Sequence, residues 1–464
     1  MRIVQTFWTA GRDPLKYSFG WLHPEYNLMS WALSCLSLRE HYDEVALYTD
    51  QEGYDILINK LHLPYTEVNV VYDKNLCLPQ HWAYAKIKTY SMQTKPFLHV
   101  DGDVYLPHPI PEDIINAPLI AQNKEIGTIY YKHMMDKILQ VSSIKIADYL
   151  AEGVKEEFIL SYNMGIFGGS DLTFIKEYCK EAQLLCDMNK RLSLNGNFNL
   201  LFEQILFAYI VKEKRLTVST LFPQTFNDNG YSIKAFCQLD RYGDKGYFHV
   251  LGRHKSNSVI IDSLEETLIT MFPDYFKLIV SLFPHLYHRG LNKNILCIPL
   301  IFSDNPIKSY IDFLNEAEGS WRSLSWKEIF EVETMRIGGK TLTYHKEGFN
   351  SELVIRCNPY LRIFDIPASW NAEAVQRMKT RLSCRDDAPL QKIAVIPTLK
   401  TNLRKEYVLF ELEYEVLEQL NGQPMQVKDL LTELMSNRGL ENMYSLWMTE
   451  IRLLLNEGIL IPNL

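Results

Sequence analysis

Through the first 130 positions, short apolar runs alternate with segments whose apolar residues recur every three or four positions. That alternation predicts strands separated by helices. Ile3 to Trp8 reads as a strand, Tyr26 to Leu38 as a helix, Glu44 to Thr49 as a strand and Gln51 to Leu61 as a helix. A strand at Tyr65 to Val71, a helix at Trp82 to Gln93 and a strand at Phe97 to Val100 continue the series. Such a succession builds a parallel sheet covered by helices, and the expected class is α/β. Sheets of this kind bind ligands beyond the carboxyl ends of their strands, where Asp50 and the pair Asp101/Asp103 fall.

From about 160 to 250 the segments shorten, with helices expected at Asp171 to Leu185 and Asn199 to Val211. Clean periodicity is lost around 285 to 330, which suggests a first domain over 1–285 and a connecting region over 286–334. Residues 335–464 then read as a smaller α+β region. Its expected strands are Leu342 to His345, Glu352 to Arg356, Leu361 to Ile366, Lys392 to Pro397 and Tyr407 to Phe410. Helical stripes follow at Leu412/Val416/Leu420, Val427/Leu430/Leu431/Leu434 and Met443/Leu446/Trp447/Leu454, and a strand at Ile459 to Ile461 closes the chain. From about 390 onward this order suggests a small winged-helix module.

Composition narrows the partners. The chain has 464 residues, enough for two or three cores, and 48 Lys+Arg against 56 Asp+Glu give a formal charge of -8. No broad cationic face is available for nucleic acid or anionic lipid, so an anionic ligand must be met locally. Met1 to Trp8 reads as a strand rather than a leader, and no apolar run reaches membrane length, which predicts a cytoplasmic protein with no transmembrane segment. The eight cysteines are scattered without a two-residue spacing and are expected to be free thiols.

The candidate chemistry begins in Phe97-Leu98-His99-Val100-Asp101-Gly102-Asp103-Val104. Two carboxylates in an apolar setting need a compensating cation, and in extended chain residues i and i+2 share a face, so Asp101 and Asp103 could address one divalent ion. Gly102 would let a ligand approach the backbone. One helix earlier, Tyr84-Ala85-Lys86-Ile87-Lys88 could turn Lys86 toward the same rim, unless it is a plain surface charge. Downstream, Tyr247-Phe248-His249-Val250-Leu251-Gly252-Arg253-His254-Lys255 spaces His249, Gly252 and Lys255 three apart. A neutral imidazole can complete a metal shell begun by carboxylates, and Gly and Lys suit a diphosphate. A histidine beside Phe can equally be structural.

Taken in order, Lys86, Asp101-Gly102-Asp103 and His249-x-x-Gly252-x-x-Lys255 resemble the sugar-nucleotide site of metal-dependent GT-A glycosyltransferases, closest to the family 8 (glycogenin and galactosyltransferase-like) enzymes. The resemblance implies a GT-A, Rossmann-like domain in which Asp101, Asp103 and His249 hold Mn²⁺ (or Mg²⁺) on the diphosphate of a nucleotide-sugar, a UDP-sugar in the first instance. It further implies donor contacts from Lys86, Asp101, Gly252 and Lys255, and Asp50, at the carboxyl end of its strand, is expected to contact the donor as well. Thr6, Phe7 and Trp8 could cradle the base at the end of the first strand. Asn163, in Tyr162-Asn163-Met164-Gly165, falls on the sugar-pocket strand, where Met164 replaces the family's Ala; Glu203, in Glu203-Gln204, falls near sugar and acceptor. The family's Pro-Trp after the motif lysine is replaced by Ser256-Asn257. Retention at the anomeric carbon is implied, although Glu203 could instead serve an inverting enzyme as base.

The C-terminal part is similar to PqqD-like winged-helix peptide-recognition modules across Tyr407 to Ile461. From Lys400 onward it carries six Lys/Arg against ten Asp/Glu, which disfavours nucleic acid and leaves a peptide that adds as an edge strand. The acceptor is accordingly expected to be a glycan or a peptide. Two other readings stand beside transfer: a non-catalytic peptide-binding or scaffold protein with a degenerate transferase fold, and a metal-dependent nucleotide hydrolase.

Overall fold

A computed structural model describes residues 1–283 and 307–463, apart from 142, 191, 193, 195, 196, 229, 231–235, 238, 240, 241, 322, 345–348, 383–388, 399–403 and 439–442. The chain divides into two compact units, Met1–Leu268 and Ile269–Leu464.

The first unit is a mixed α/β structure around a mainly parallel sheet. Its strands are β1 (Arg2–Phe7), β2 (Val45–Thr49), β3 (Glu67–Val70), β4 (Phe97–Val100), β5 (Val104–Tyr105), β6 (Ile120–Gly127), β7 (Ile159–Gly169), β8 (Ser219–Thr220), β9 (Phe226–Asn227) and β10 (Phe248–His249). The sheet runs β3-β2-β1-β4-β7-β6-β8, with β9 also on β6. Neighbours from β3 to β4 are parallel, while β7 runs antiparallel to both β4 and β6. Strands β2 and β4 are buried along their whole length, as expected where both sheet faces are covered.

Helix Pro24–Arg39 starts with Pro in its first turn, where the missing N–H costs nothing. Helix Ala83–Met92 buries Ala83, Ala85, Lys86, Ile87 and Tyr90. Asp171 caps helix Leu172–Asn189 by accepting from Phe174 N at 3.0 Å. Two expected helices are less regular than their periodicity suggests. Gln51–Tyr54 is one α-turn that passes into a π-helical stretch, Asp55–Lys60. The segment expected at Asn199 to Val211 runs from Phe198–Leu200 through a π-helical turn, Leu201–Ile205, into helix Leu206–Lys214.

The second unit holds two three-stranded antiparallel sheets. Their strands are β11 (Val354–Cys357), β12 (Arg362–Asp365), β13 (Lys392–Pro397), β14 (Arg404–Leu409), β15 (Met425–Gln426) and β16 (Leu460–Pro462), ordered β15-β11-β16 and β12-β13-β14. Helices Glu411–Leu420, Val427–Arg438 and Tyr444–Glu457 supply Val416, Leu420, Leu430, Leu434, Trp447 and Leu454 to one core. A second core gathers Tyr310, Leu314, Trp321, Met378, Ile393 and Val395.

The strand expected at Leu342 to His345 does not form. Leu342 to Tyr344 instead close helix Trp326–Tyr344, and His345 lies outside the described residues. The β-branched Thr341 and Thr343 favour extended chain only weakly. A helix that buries Ile329, Val332, Arg336 and Ile337 on one face overrides them. Part of the expected connecting region, 286–306, is outside the described residues, and helices Lys308–Trp321 and Trp326–Tyr344 occupy most of the remainder. Among the described residues no helix is long and apolar enough to cross a membrane. Cys35, Cys77, Cys179, Cys186, Cys237 and Cys357 are free; Cys297 and Cys384 lie outside the described residues.

Candidate metal centre

Strand β4 ends at Val100, so Asp101 and Asp103 do not share a strand face as the alternation implies. They sit on a turn closed by Val104 N donating to Asp101 O at 3.1 Å. Helix Pro24–Arg39 holds this turn by its carbonyls: Ser30 Oγ donates to Gly102 O at 2.7 Å and Ser34 Oγ to Asp101 O at 3.2 Å. Serines four apart lie on one helix face, which is why both reach the same turn. The space over Gly102 belongs to Trp31, whose indole would lie 2.5 Å from a Cβ there. An aromatic side chain, not a ligand, thus explains that glycine.

The two-residue ladder of β5 with β10 pairs His249 with Val104, and Val250 N donates to Asp103 O at 3.0 Å. This pairing carries His249 across some 150 residues of sequence to the aspartates. One ligand atom from each of Asp101, Asp103 and His249 lies within 4.8 Å of the others. Gln122 on β6 accepts from His249 Nδ1–H at 2.7 Å and from the Tyr247 hydroxyl at 2.6 Å, a tautomer set by the hydrogen-bond network. Burial, opposed by Asp103, lowers His249 to about 4, so the ring is neutral. Its Nε2 lone pair therefore faces Asp103 Oδ1 at 3.5 Å, acceptor against acceptor. That juxtaposition fits a cation held between them.

Two lysines flank the carboxylates. Lys86 Nζ lies 2.9 Å from Asp101 Oδ1 and 2.6 Å from Glu203 Oε1, in a nearly dry setting. Burial disfavours its charge, but Asp101 and Glu203 outweigh burial and raise its pKa. Burial raises Glu203 against the pull of Lys86. Asp101 is pushed up to about 7 by burial, with Lys86 opposing and Asp103 and Glu203 adding repulsion. Asp103 is the reverse case: burial would raise it, yet the Lys255 ammonium holds it below the usual carboxylate range. Lys255 Nζ reaches Asp103 Oδ2 at 2.7 Å. Lys88 is elsewhere, against Gln183 at 3.4 Å.

The carboxylates open on a cleft of about 720 Å³ whose wall includes Phe7, Trp21, Trp31, Trp82, Arg12 and Arg253. Thr6, Trp8, Lys86, Asp101, Asp103, Gly252 and Lys255 also line it. The Thr6 hydroxyl is engaged with Thr89 (2.6 Å) and His99 (3.0 Å), and the Trp8 indole donates to Asp73 O at 3.0 Å, leaving their apolar surface to the cleft. Asp50 stands behind the cleft. Its carboxylate accepts from Thr9 N and Oγ1 at 2.8 and 2.7 Å and caps Gly53 N at 3.1 Å. Asn163 is likewise not on the wall; it accepts from Gly165 N at 3.0 Å and reaches Glu125 Oε1 at 3.5 Å. Glu203 is not on the wall either, and is joined to the site by its ion pair with Lys86.

Sequence reasoning missed Gln122, Tyr247, Trp31 and Gly165. A Cβ on Gly165 would lie 2.5 Å from both Gln122 Oε1 and His249 Nδ1, so this glycine makes room for the histidine and its partner. None of these residues carries a spacing signal, because each acts through a neighbour distant in sequence.

Fold and site together define an α/β protein with a mainly parallel central sheet and an Asp-Asp-His cluster whose two aspartates line a cleft. Residues 1–282 match a family of unknown function, DUF6734, and the chain belongs to that family. Among curated proteins no match to the chain was found.

Proposed function

We propose that this chain is a metal-dependent GT-A glycosyltransferase that transfers a sugar from a UDP-sugar to a glycan or peptide acceptor. The observation that carries the reading is the meeting of Asp101, Asp103 and a neutral His249 within 4.8 Å, beside a cleft whose wall presents both aspartates, Lys86 and Lys255. Two carboxylates and an imidazole suit Mn²⁺ or Mg²⁺. Such an ion would neutralise charge on the departing diphosphate. Lys255 offers an ammonium on the same wall for a phosphoryl oxygen. Lys86 holds Asp101 in place from the protein side. With Glu203 paired to Lys86 at 2.6 Å, the carboxylate an inverting enzyme needs as base is already engaged, which supports retention. In the same reading, residues from about 390 form a winged-helix module that presents a peptide acceptor as an added strand.

The test is UDP binding by calorimetry with and without Mn²⁺, followed by a donor screen reading UDP release. Metal-enhanced UDP binding and acceptor-dependent turnover are expected. Asp103→Asn should lower turnover by at least about 100-fold with an unchanged circular dichroism spectrum. Absence of UDP binding points to a scaffold, and donor cleavage indifferent to every acceptor points to a hydrolase.

A further inference from the structure

Asn27 lines the cleft yet is only 3% exposed, and among the described residues its amide nitrogen has no hydrogen-bond partner. A buried carboxamide left unpaired is costly, and natural proteins retain one where something else completes it. Two contacts locate the group. Leu22 N donates to Lys255 O at 3.1 Å, which brings the start of helix Pro24–Arg39 against the segment bearing Lys255. One turn after Asn27, Trp31 covers Gly102 between the two aspartates. Asn27 therefore belongs to the same wall as both Lys255 and the acidic turn.

We propose that the Asn27 carboxamide binds ligand, donating to a phosphoryl oxygen of a nucleoside diphosphate on the Lys255 side of the cleft. This rests on the reading of the cleft as a nucleotide-sugar site and extends it to a residue no motif marks. Ionised phosphoryl oxygen only accepts hydrogen bonds, so it matches an amide whose donors are unspent. The first turn of a 16-residue helix adds a field favourable to an anion. The contact is neutral, so unlike those of the metal and lysines it discriminates by geometry rather than charge.

The experiment titrates UDP, and separately inorganic pyrophosphate, into the Mn²⁺-loaded full chain. Asn27→Ala should weaken both by about tenfold, and Asn27→Asp, which sets a carboxylate against the phosphate, by about 100-fold. Affinity for Mn²⁺ alone should stay within about twofold, because Asn27 is not a ligand to the ion. If the wild-type protein binds no UDP, the transferase reading fails and this inference falls with it. If the wild type binds UDP and both variants match it, only the role of Asn27 is overturned. Weakening by Ala but not by Asp would mean that the amide meets a hydroxyl, which overturns the phosphoryl assignment. A lower melting temperature with unchanged UDP affinity would make Asn27 structural and overturn its role in binding as well.

Discussion

Lys86 shows how much a single buried charge is asked to do. It sits between Asp101 at 2.9 Å and Glu203 at 2.6 Å with almost no access to water. Removing it alone leaves two carboxylates facing each other, so Lys86→Met should cost roughly 3–5 kcal/mol in urea unfolding. Lys86→Met combined with Glu203→Leu should cost less than Lys86→Met alone. A double-variant loss equal to the sum of the Lys86→Met and Glu203→Leu losses would show that the two residues act independently. Asp101 supplies a pH dependence. Its carboxyl is raised to about 7, first by burial, so below that pH the free site holds a proton that a metal must displace. His249, lowered to about 4, and Asp103, also lowered, add no competing proton in this range. Apparent Mn²⁺ affinity should thus rise about tenfold per pH unit from about 5 to 7 and level off above. A flat profile by isothermal titration would contradict the shift.

At the scale of elements, the site depends on how closely strands and helices approach one another. Strand β7 passes under His249 and Gln122 because Gly165 has no side chain. Gly165→Ala places a Cβ 2.5 Å from both partners. The neighbours must move, and overpacking of this kind costs about 1–3 kcal/mol. Because the displaced groups are a metal ligand and the residue that fixes its tautomer, Mn²⁺ affinity should fall by about 10- to 100-fold. Gln122→Leu should lower affinity without the overpacking cost, and Gln122→Glu should restore it by accepting from the same Nδ1–H. The π-helical turn at Leu201–Ile205 is a second such device, carrying Glu203 to its pairing with Lys86.

For the whole molecule, every residue of the cleft and its metal cluster falls within Met1–Leu268. Ligand-linked stabilisation should be confined accordingly. On adding Mn²⁺ and UDP, hydrogen exchange should slow in 97–106, 163–169 and 248–256 and stay unchanged in 354–357, 392–397 and 444–462. Protection spreading into the second group would mean that the C-terminal region senses the cleft. The eight-residue excess of acidic charge agrees with a site that meets anions through a few placed cations rather than a basic surface.

Local pattern alone determined the parallel strands β1 to β4 but not β6 and β7, the helix stripes of Val416, Leu430 and Trp447, and the candidacy of Asp101, Asp103, His249, Lys86 and Lys255. These signals survive because burial imposes a period on contiguous residues, and because acidic and basic side chains in apolar settings stand out wherever they fall. Tertiary structure decided the rest. The turn that aims the aspartates is held by Ser30 and Ser34, the imidazole is fixed by Gln122, and the helix at Leu342 to Tyr344 is set by the face it buries. Such features depend on distances between segments far apart along the chain, and spacing in sequence carries no information about those distances until the backbone has closed.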